Sequence, residues 1–216
     1  MLGEPVRKKA AEILAKVANP VRLVLFTQES DCQFCKDAVV LVQELGGLSD
    51  KLSVEVLDLQ KDSAKAAEYR VDKVPAFVVA GEKDYGIRYY GVPAGFEFST
   101  LLGLVEIVGG RDSGLKPETR AKLTGLTSPA DIQMFVTLTC PVCPIAAAVA
   151  ARFAIESDRV SLSIVDAAEF QQLAGLYNVM AVPRTVVNRG HSFEGLLQEE
   201  RFVGEIIKGA GALAMP

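Results

Sequence analysis

Cys140-Pro141-Val142-Cys143 decides how this chain is read, because Cys32-Gln33-Phe34-Cys35 repeats its pattern 108 residues earlier. These are the four cysteines of the 216-residue sequence. Each C-x-x-C follows an apolar, branched run that predicts a buried strand, Val21–Thr27 in one case and Ile132–Leu138 in the other. Each precedes an apolar-periodic stretch that predicts a helix, with Cys32 opening one that runs to Leu45 and Cys140 one that runs to about Ile155.

The duplication extends well beyond the cysteines. Cys32 to Pro75 is 43 residues, and so is Cys140 to Pro183. At the same offset of 108, Asp58 matches Asp166, Tyr69-x-Val71 matches Tyr177-x-Val179, and Val74-Pro75 matches Val182-Pro183. The offset is 109 upstream (Pro20/Pro129) and 104 downstream (Gly91/Gly195), so insertions and deletions fall in predicted loops, as in two copies of one fold. Each copy reads α-β-α-β-α-β-β-α. That order predicts an α/β protein of two tandem units, each a mixed central sheet with helices on both faces. Gly109-Gly110-Arg111-Asp112-Ser113-Gly114 is the predicted linker, dividing the chain into units 1–112 and 113–216.

Composition narrows the function. The chain is 50% hydrophobic and 23% charged, with a net charge of −4 and no basic stretch to follow a phosphate backbone, which argues against nucleic-acid binding. No run reaches the roughly 18 apolar residues of a membrane span. Arg7, Lys8, Lys9, Glu12 and Lys16 interrupt the first 18 residues, so these do not read as a signal peptide. The expected location is the cytoplasm, where paired cysteines are usually catalytic or metal-binding. Three Asn and no Trp point weakly to a thermophilic source.

A thiolate, not a thiol, attacks a disulfide. A cysteine at a helix N-terminus sits by unpaired N–H groups and the positive end of the dipole, which lowers its pKa from about 8.5 to as little as roughly 3.5–7.5. Cys32 and Cys140 are therefore the candidate nucleophiles. Cys35 and Cys143, one turn further on, are the candidate resolving thiols. Two other readings are a zinc site built from all four cysteines and a pair of inert structural disulfides. The first is disfavoured because zinc-binding pairs usually lie roughly 15–20 residues apart, and the second because so short a loop constrains the unfolded chain little.

With these motifs the halves look like thioredoxin-fold units, and the whole resembles the glutaredoxin-like protein disulfide oxidoreductases of hyperthermophiles, tandem proteins akin to protein disulfide isomerases. The resemblance implies dithiol–disulfide exchange on protein substrates, with redox-active disulfides and no bound cofactor or metal. It implies an NADPH-dependent flavoprotein of thioredoxin-reductase type as electron source. It also implies cis bonds at Val74-Pro75 and Val182-Pro183, beside the cysteines, where the backbone of the valines can pair with an extended substrate. Gln33, Phe34, Pro141 and Val142, between the cysteines, are expected to tune the redox chemistry. Pro141 is expected to pre-set the first helical position, and Phe34 to shield the sulfurs or touch substrate. Thioredoxins often carry a buried acid on the strand before the cysteines; here those strands contain neither Asp nor Glu, and no proton acceptor is assigned.

The sites are not expected to be equivalent. Asp31 adjoins Cys32 and disfavours its thiolate, partly offset by Lys36, whereas no charge flanks Cys140, so Cys140 is expected to have the lower pKa and the faster exchange. Asp58 and Asp166 read as turn or cap residues, and His191 as a solvated turn residue. A second class of function, a substrate-binding or chaperone module with a secondary redox role, would leave the cysteines of little consequence.

Overall fold

The computed structural model describes residues 2–212. Its elements follow the predicted order twice. The first pass is α1 (Glu4–Leu14), β1 (Val21–Thr27), α2 (Cys35–Gly46), β2 (Leu52–Asp58), α3 (Ser63–Glu68), β3 (Ala76–Ala80), β4 (Ile87–Tyr90) and α4 (Glu97–Gly110). The second is α5 (Pro117–Thr124), β5 (Ala130–Val136), α6 (Cys143–Glu156), β6 (Val160–Asp166), α7 (Gln171–Leu176), β7 (Arg184–Val187), β8 (His191–Glu194) and α8 (Glu199–Ala212). The last helix was expected to reach Leu213, which lies outside the described residues, as do the outermost ends of the two expected units.

The strands form one eight-stranded sheet in the order β2-β1-β3-β4-β6-β5-β7-β8. Within each half the first two strands are parallel and the last two antiparallel, as a crossover followed by a hairpin requires. The halves join through β4 and β6, which pair in parallel from Ile87↔Leu162 to Tyr90↔Val165. The two mixed sheets are thus continuous.

Alternation along the strands divides the core. Leu23, Leu25, Phe77, Ile87, Tyr89, Met134, Leu162 and Ile164 face one side, under the apolar residues of α2, α4 and α6. Val24, Phe26, Val78, Tyr90, Phe135 and Val165 face the other, packed against residues of α3, α7 and their flanks. Each large aliphatic or aromatic side chain buried in this way contributes about 1.5–3 kcal/mol. Ala146, Ala147, Ala150 and Ala151 are all buried on α6, the helix that packs against α4 from the other half.

The predicted linker begins too early. Gly109 and Gly110 are the last residues of α4, and Gly109 is buried. A Cβ on Gly109 would lie 2.4 Å from Val17 Cγ1, so glycine is what lets the end of α4 meet the α1–β1 connection. There, Asn19 donates from both its backbone N and Nδ2 to the Gly109 carbonyl, at 3.1 and 2.8 Å. The irregular connection starts at Arg111, which caps α4 in the left-handed region at φ 58°. His191 also departs from expectation. It is half-buried, with Nε2 2.5 Å from Glu205 Oε2 on α8.

Candidate active sites

Both C-x-x-C pairs are closed as disulfides, Cys32–Cys35 and Cys140–Cys143, each with Cα atoms 5.5 Å apart. Their helices start later than the spacing suggested. α2 begins at Cys35 with Phe34 as its N-cap, and α6 at Cys143 with Val142 as its N-cap. The first intrahelical bonds explain this, since Ala38 donates to Phe34 O at 3.0 Å and Ala146 to Val142 O at 3.2 Å. Cys32 and Cys140 therefore sit in the approach to the helix, and the proline in the first turn of α6 is Pro144, not Pro141. The physical consequence survives the correction at the C-terminal pair, because the Cys143 N–H, an orphan donor of the first turn, points at Cys140 Sγ from 3.2 Å.

Val74-Pro75 and Val182-Pro183 are both cis. Pro75 and Pro183 are buried and their valines half-buried. The Val182 carbonyl oxygen lies 4.0 Å from Cys140 Sγ, so the proline loop of the second half rests against the sulfur. Gln33, Pro141 and Val142 are exposed, while Phe34 is half-buried.

The surroundings of the pairs differ. In the half that carries the C-terminal pair, exposed apolar side chains come from several segments: Val142 and Ile145 around the start of α6, Leu176 (72% exposed) and Met180 (89%) before the cis proline, and Leu196 after β8. Phe96, also exposed, adjoins the segment before Cys140, since its N–H donates to the Leu138 carbonyl at 3.0 Å. Met180 and Leu176 correspond to Asp72 and Glu68 in the first half. The N-terminal pair opens on a cavity of about 460 Å³ lined by Thr27, Gln28, Glu29, Cys32, Cys35, Lys36 and Val39.

A thioredoxin-domain family pattern matches residues 130–208, the strands and helices that carry the second pair. The crystal structure of a protein disulfide oxidoreductase from Aeropyrum pernix K1 superposes with a TM-score of 0.90, at 30% identity, over 98% of this chain and 95% of that one. The chain belongs to the protein disulfide oxidoreductases. The N-terminal domain of the alkyl hydroperoxide reductase AhpF from Enterococcus faecalis shares the same tandem fold, with a TM-score of 0.87 at 24% identity over 95% of this chain and all of that one. Among curated proteins, the F component of the alkyl hydroperoxide reductase of Pseudomonas aeruginosa is 24% identical over 98% of this chain, which spans only 38% of that relative's length. Fold, family and paired cysteines together make the protein a dithiol–disulfide oxidoreductase whose redox groups are its own disulfides. Among the described residues, no group of three or more His, Cys, Asp or Glu is placed to hold a metal, and no helix is long and apolar enough to cross a membrane.

The oxidoreductase also contains acids that the strand sequences did not reveal. Glu97, the first residue of α4, is fully buried, and neither carboxyl oxygen has a hydrogen-bond partner among the described residues. Burial pushes its pKa from an ordinary 4.5 up to about 7, an effect opposed by the nearby Thr100 hydroxyl and reinforced by Asp166. Asp166 accepts the Ala168 N–H through Oδ1 as a turn residue should, yet its Oδ2 is buried and unpartnered, and burial raises its pKa. Glu169 accepts the Val92 N–H at 2.7 Å across the junction of the halves, and burial raises its pKa as well. The Tyr89 hydroxyl, also unpartnered, is pushed well above 10 by burial and by these three carboxyls. Two contacts place the acids beside the chain leading into Cys140. Asp166 pairs in register with Val136, and Phe96, next to Glu97, bonds to Leu138.

The first pair is built differently at the matching positions. Asp58, the counterpart of Asp166, receives the N–H groups of Lys61 and Gln60, bonds that hold its pKa below the usual carboxylate range. The counterpart of Glu169 is Lys61. Glu97 was missed because it lies at a helix start in the other half of the chain. The one signal was a charged residue between two phenylalanines, Phe96-Glu97-Phe98, at the start of a mostly apolar helix.

Proposed function

We propose that the chain exchanges dithiols and disulfides on protein substrates through two units, 1–112 and 113–216, with the C-terminal pair as the principal site. Cys140 attacks the substrate disulfide and Cys143 resolves the mixed disulfide; Cys32 and Cys35 take the same parts in the first unit. Val182-Pro183 and Val74-Pro75 receive an extended substrate backbone, and Pro141, Val142, Gln33 and Phe34 tune the sulfurs between which they lie. The observation that carries this reading is the cis-proline loop resting against a sulfur, with Val182 O 4.0 Å from Cys140 Sγ. A substrate strand laid along that loop is brought directly to the nucleophile.

Glu97 supplies the missing proton acceptor. An unpartnered carboxyl with a pKa about 7 is suited both to accept a proton from the resolving thiol and to return it. Electrons come from an NADPH-dependent flavoprotein of thioredoxin-reductase type. In support, curated relatives named as reductase components extend far beyond the segment this chain matches. The reading places the protein in the cytoplasm of a thermophile. Insulin reduction by the full chain with dithiothreitol as electron donor tests it. Loss of turnover in the fourfold Cys→Ser chain is the expected result, and full retention of turnover would refute it.

A further inference from the structure

On the sheet face that carries α3 and α7, the seam between the halves is floored by polar side chains. Gln133, Ser163 and Arg88 stand in one row across β5, β6 and β4, and Asp131 and Ser161 stand side by side in the next. Strands at the centre of a covered sheet are normally apolar on both faces, so these positions need an account. They floor a cavity of about 480 Å³, walled by the segment after α3, the β3–β4 turn and the β7–β8 turn. Small-molecule sites typically measure about 300–1,000 Å³. Both halves line the cavity, and neither cysteine pair does. Asp131 and Ser161 lie near the starts of β5 and β6, whereas Cys140 follows the end of β5, so the cavity and the second pair occupy opposite ends of the sheet.

Most of the lining is already satisfied. Arg88 gives Nε to the Tyr69 carbonyl at 2.8 Å and its terminal nitrogens to the Asp84 carboxylate at 2.8 and 2.5 Å. Lys83 pairs with Asp158, Lys73 with Asp72 and Glu68 with Lys65. The Ser161 hydroxyl donates to Asp131. The remainder is specific. Gln133 Oε1 is buried and has no hydrogen-bond partner among the described residues, which is costly for an acceptor. Arg70, Arg189 and Asp131 line the cavity and make no ion pair among the described residues. Two positive charges, one negative charge and one acceptor are thus left over, and a ligand with two carboxylates and one ammonium group matches them in sign and number.

We propose that this cavity binds an acidic α-amino acid, with its carboxylates at Arg70 and Arg189 and its ammonium group between Gln133 Oε1 and Asp131. The assignment goes beyond thiol–disulfide exchange and does not depend on it. Arg70 comes from the first half and the other three residues from the second, so the site exists only because β4 and β6 pair.

The test titrates the full, isotopically labelled chain with L-glutamate, with glutarate, which lacks the ammonium group, and with L-glutamine, which lacks one carboxylate. Binding is read from amide chemical shifts, including the side-chain amide of Gln133. Glutamate should shift that amide saturably with a Kd of about 10 mM or tighter. Glutarate should bind at least about fivefold more weakly, since Gln133 Oε1 then stays without a donor. Glutamine should bind about threefold more weakly for the loss of one ion pair. Gln133→Leu should weaken glutamate by about fivefold or more and leave glutarate within about twofold. Arg189→Gln should weaken glutamate by about threefold. The preference of the unsubstituted chain for glutamate decides the matter by itself where a variant does not fold. The proposal is overturned by the absence of a saturable shift, by glutarate or glutamine binding as tightly as glutamate, or by folded variants that bind glutamate as the unsubstituted chain does.

Discussion

The two C-x-x-C regions share a backbone plan and differ in almost everything that surrounds the sulfurs. The C-terminal pair has a backbone N–H directed at its first sulfur, the Val182 carbonyl of the cis-proline loop against it, and two buried acids, Glu97 and Asp166, with the half-buried Glu169, beside the chain that leads to it. The N-terminal pair has a half-exposed cysteine, an open cavity, and solvated charge at the positions where its twin has apolar or buried groups. Duplication supplies identical scaffolds, and the asymmetry comes from how one copy is buried against the other. Gly91 of the first half shows this plainly. A Cβ there would lie 2.9 Å from Asp166 Cβ, so the first half closes directly over the acid of the second. Asp58 ends β2, the strand at the far edge of the sheet from the seam, and stays out of reach of that cover.

The sharpest way to break the comparison is to remove one nucleophile at a time. Cys140→Ser should abolish most insulin reduction, while Cys32→Ser should leave more than half of it. Equal losses, or a greater loss from Cys32→Ser, would mean that the surroundings do not rank the sites.

Glu97→Gln should follow in size. General acid–base groups contribute about 10²-fold or more, so insulin turnover through the C-terminal pair should fall by at least about tenfold, with exchange at Cys32 unchanged. The same substitution has an opposite effect on stability. Glu97 has a folded pKa raised above its unfolded value, so both states are protonated below about pH 4.5 and no penalty exists there. As pH rises from 4.5 to about 7, the unfolded chain ionises first and the fold loses up to about 3 kcal/mol. Glu97→Gln should therefore melt about 6–10 °C higher than the unsubstituted protein at pH 8. At pH 4 the two should melt together, as calorimetry across that range would show. A uniform shift at both pH values would exclude ionisation as the cause.

Met180→Asp should have a more modest effect. Replacing the exposed apolar side chain that precedes the second cis proline with the kind of residue found at the matching position, Asp72, should raise KM for insulin about threefold to tenfold without altering exchange with dithiothreitol. A fall in the dithiothreitol rate would mean that Met180 tunes the sulfur rather than meeting substrate. The smallest expected effect is that of Asp31→Asn. Asp31 is exposed with φ 55°, a conformation Asn tolerates, and its charge is screened by solvent. The Cys32 pKa, read by the pH dependence of alkylation, should drop by less than about 0.5.

Much of this was legible in the sequence because it is local. Val21–Thr27 and Ala76–Ala80 announce buried strands by composition, and the 43-residue spacing to each Val-Pro pairs each proline with its own cysteines. The seam between β4 and β6 was not legible, since parallel pairing between distant segments leaves no mark on either strand beyond burial. Ile87–Tyr90, buried throughout despite Arg88, was the one trace of it. Nor could spacing show that Glu97 and Asp166 would both come beside the segment before Cys140, because roughly 70 residues separate them and only tertiary packing brings them close. The helix starts were misplaced by three residues because apolar spacing does not show where the first intrahelical bond closes, which is at Phe34 O in α2 and Val142 O in α6.

Because Ile87–Tyr90 and Leu162–Val165 are laced together by main-chain bonds, the two disulfides are mounted at a fixed gauge. Beads on a string would change their spacing with the length of the string. Here the string is Arg111–Lys116, and the track is the sheet. Lengthening that connection with glycine and serine should leave the spacing of the sulfurs, and any client that must reach both, untouched.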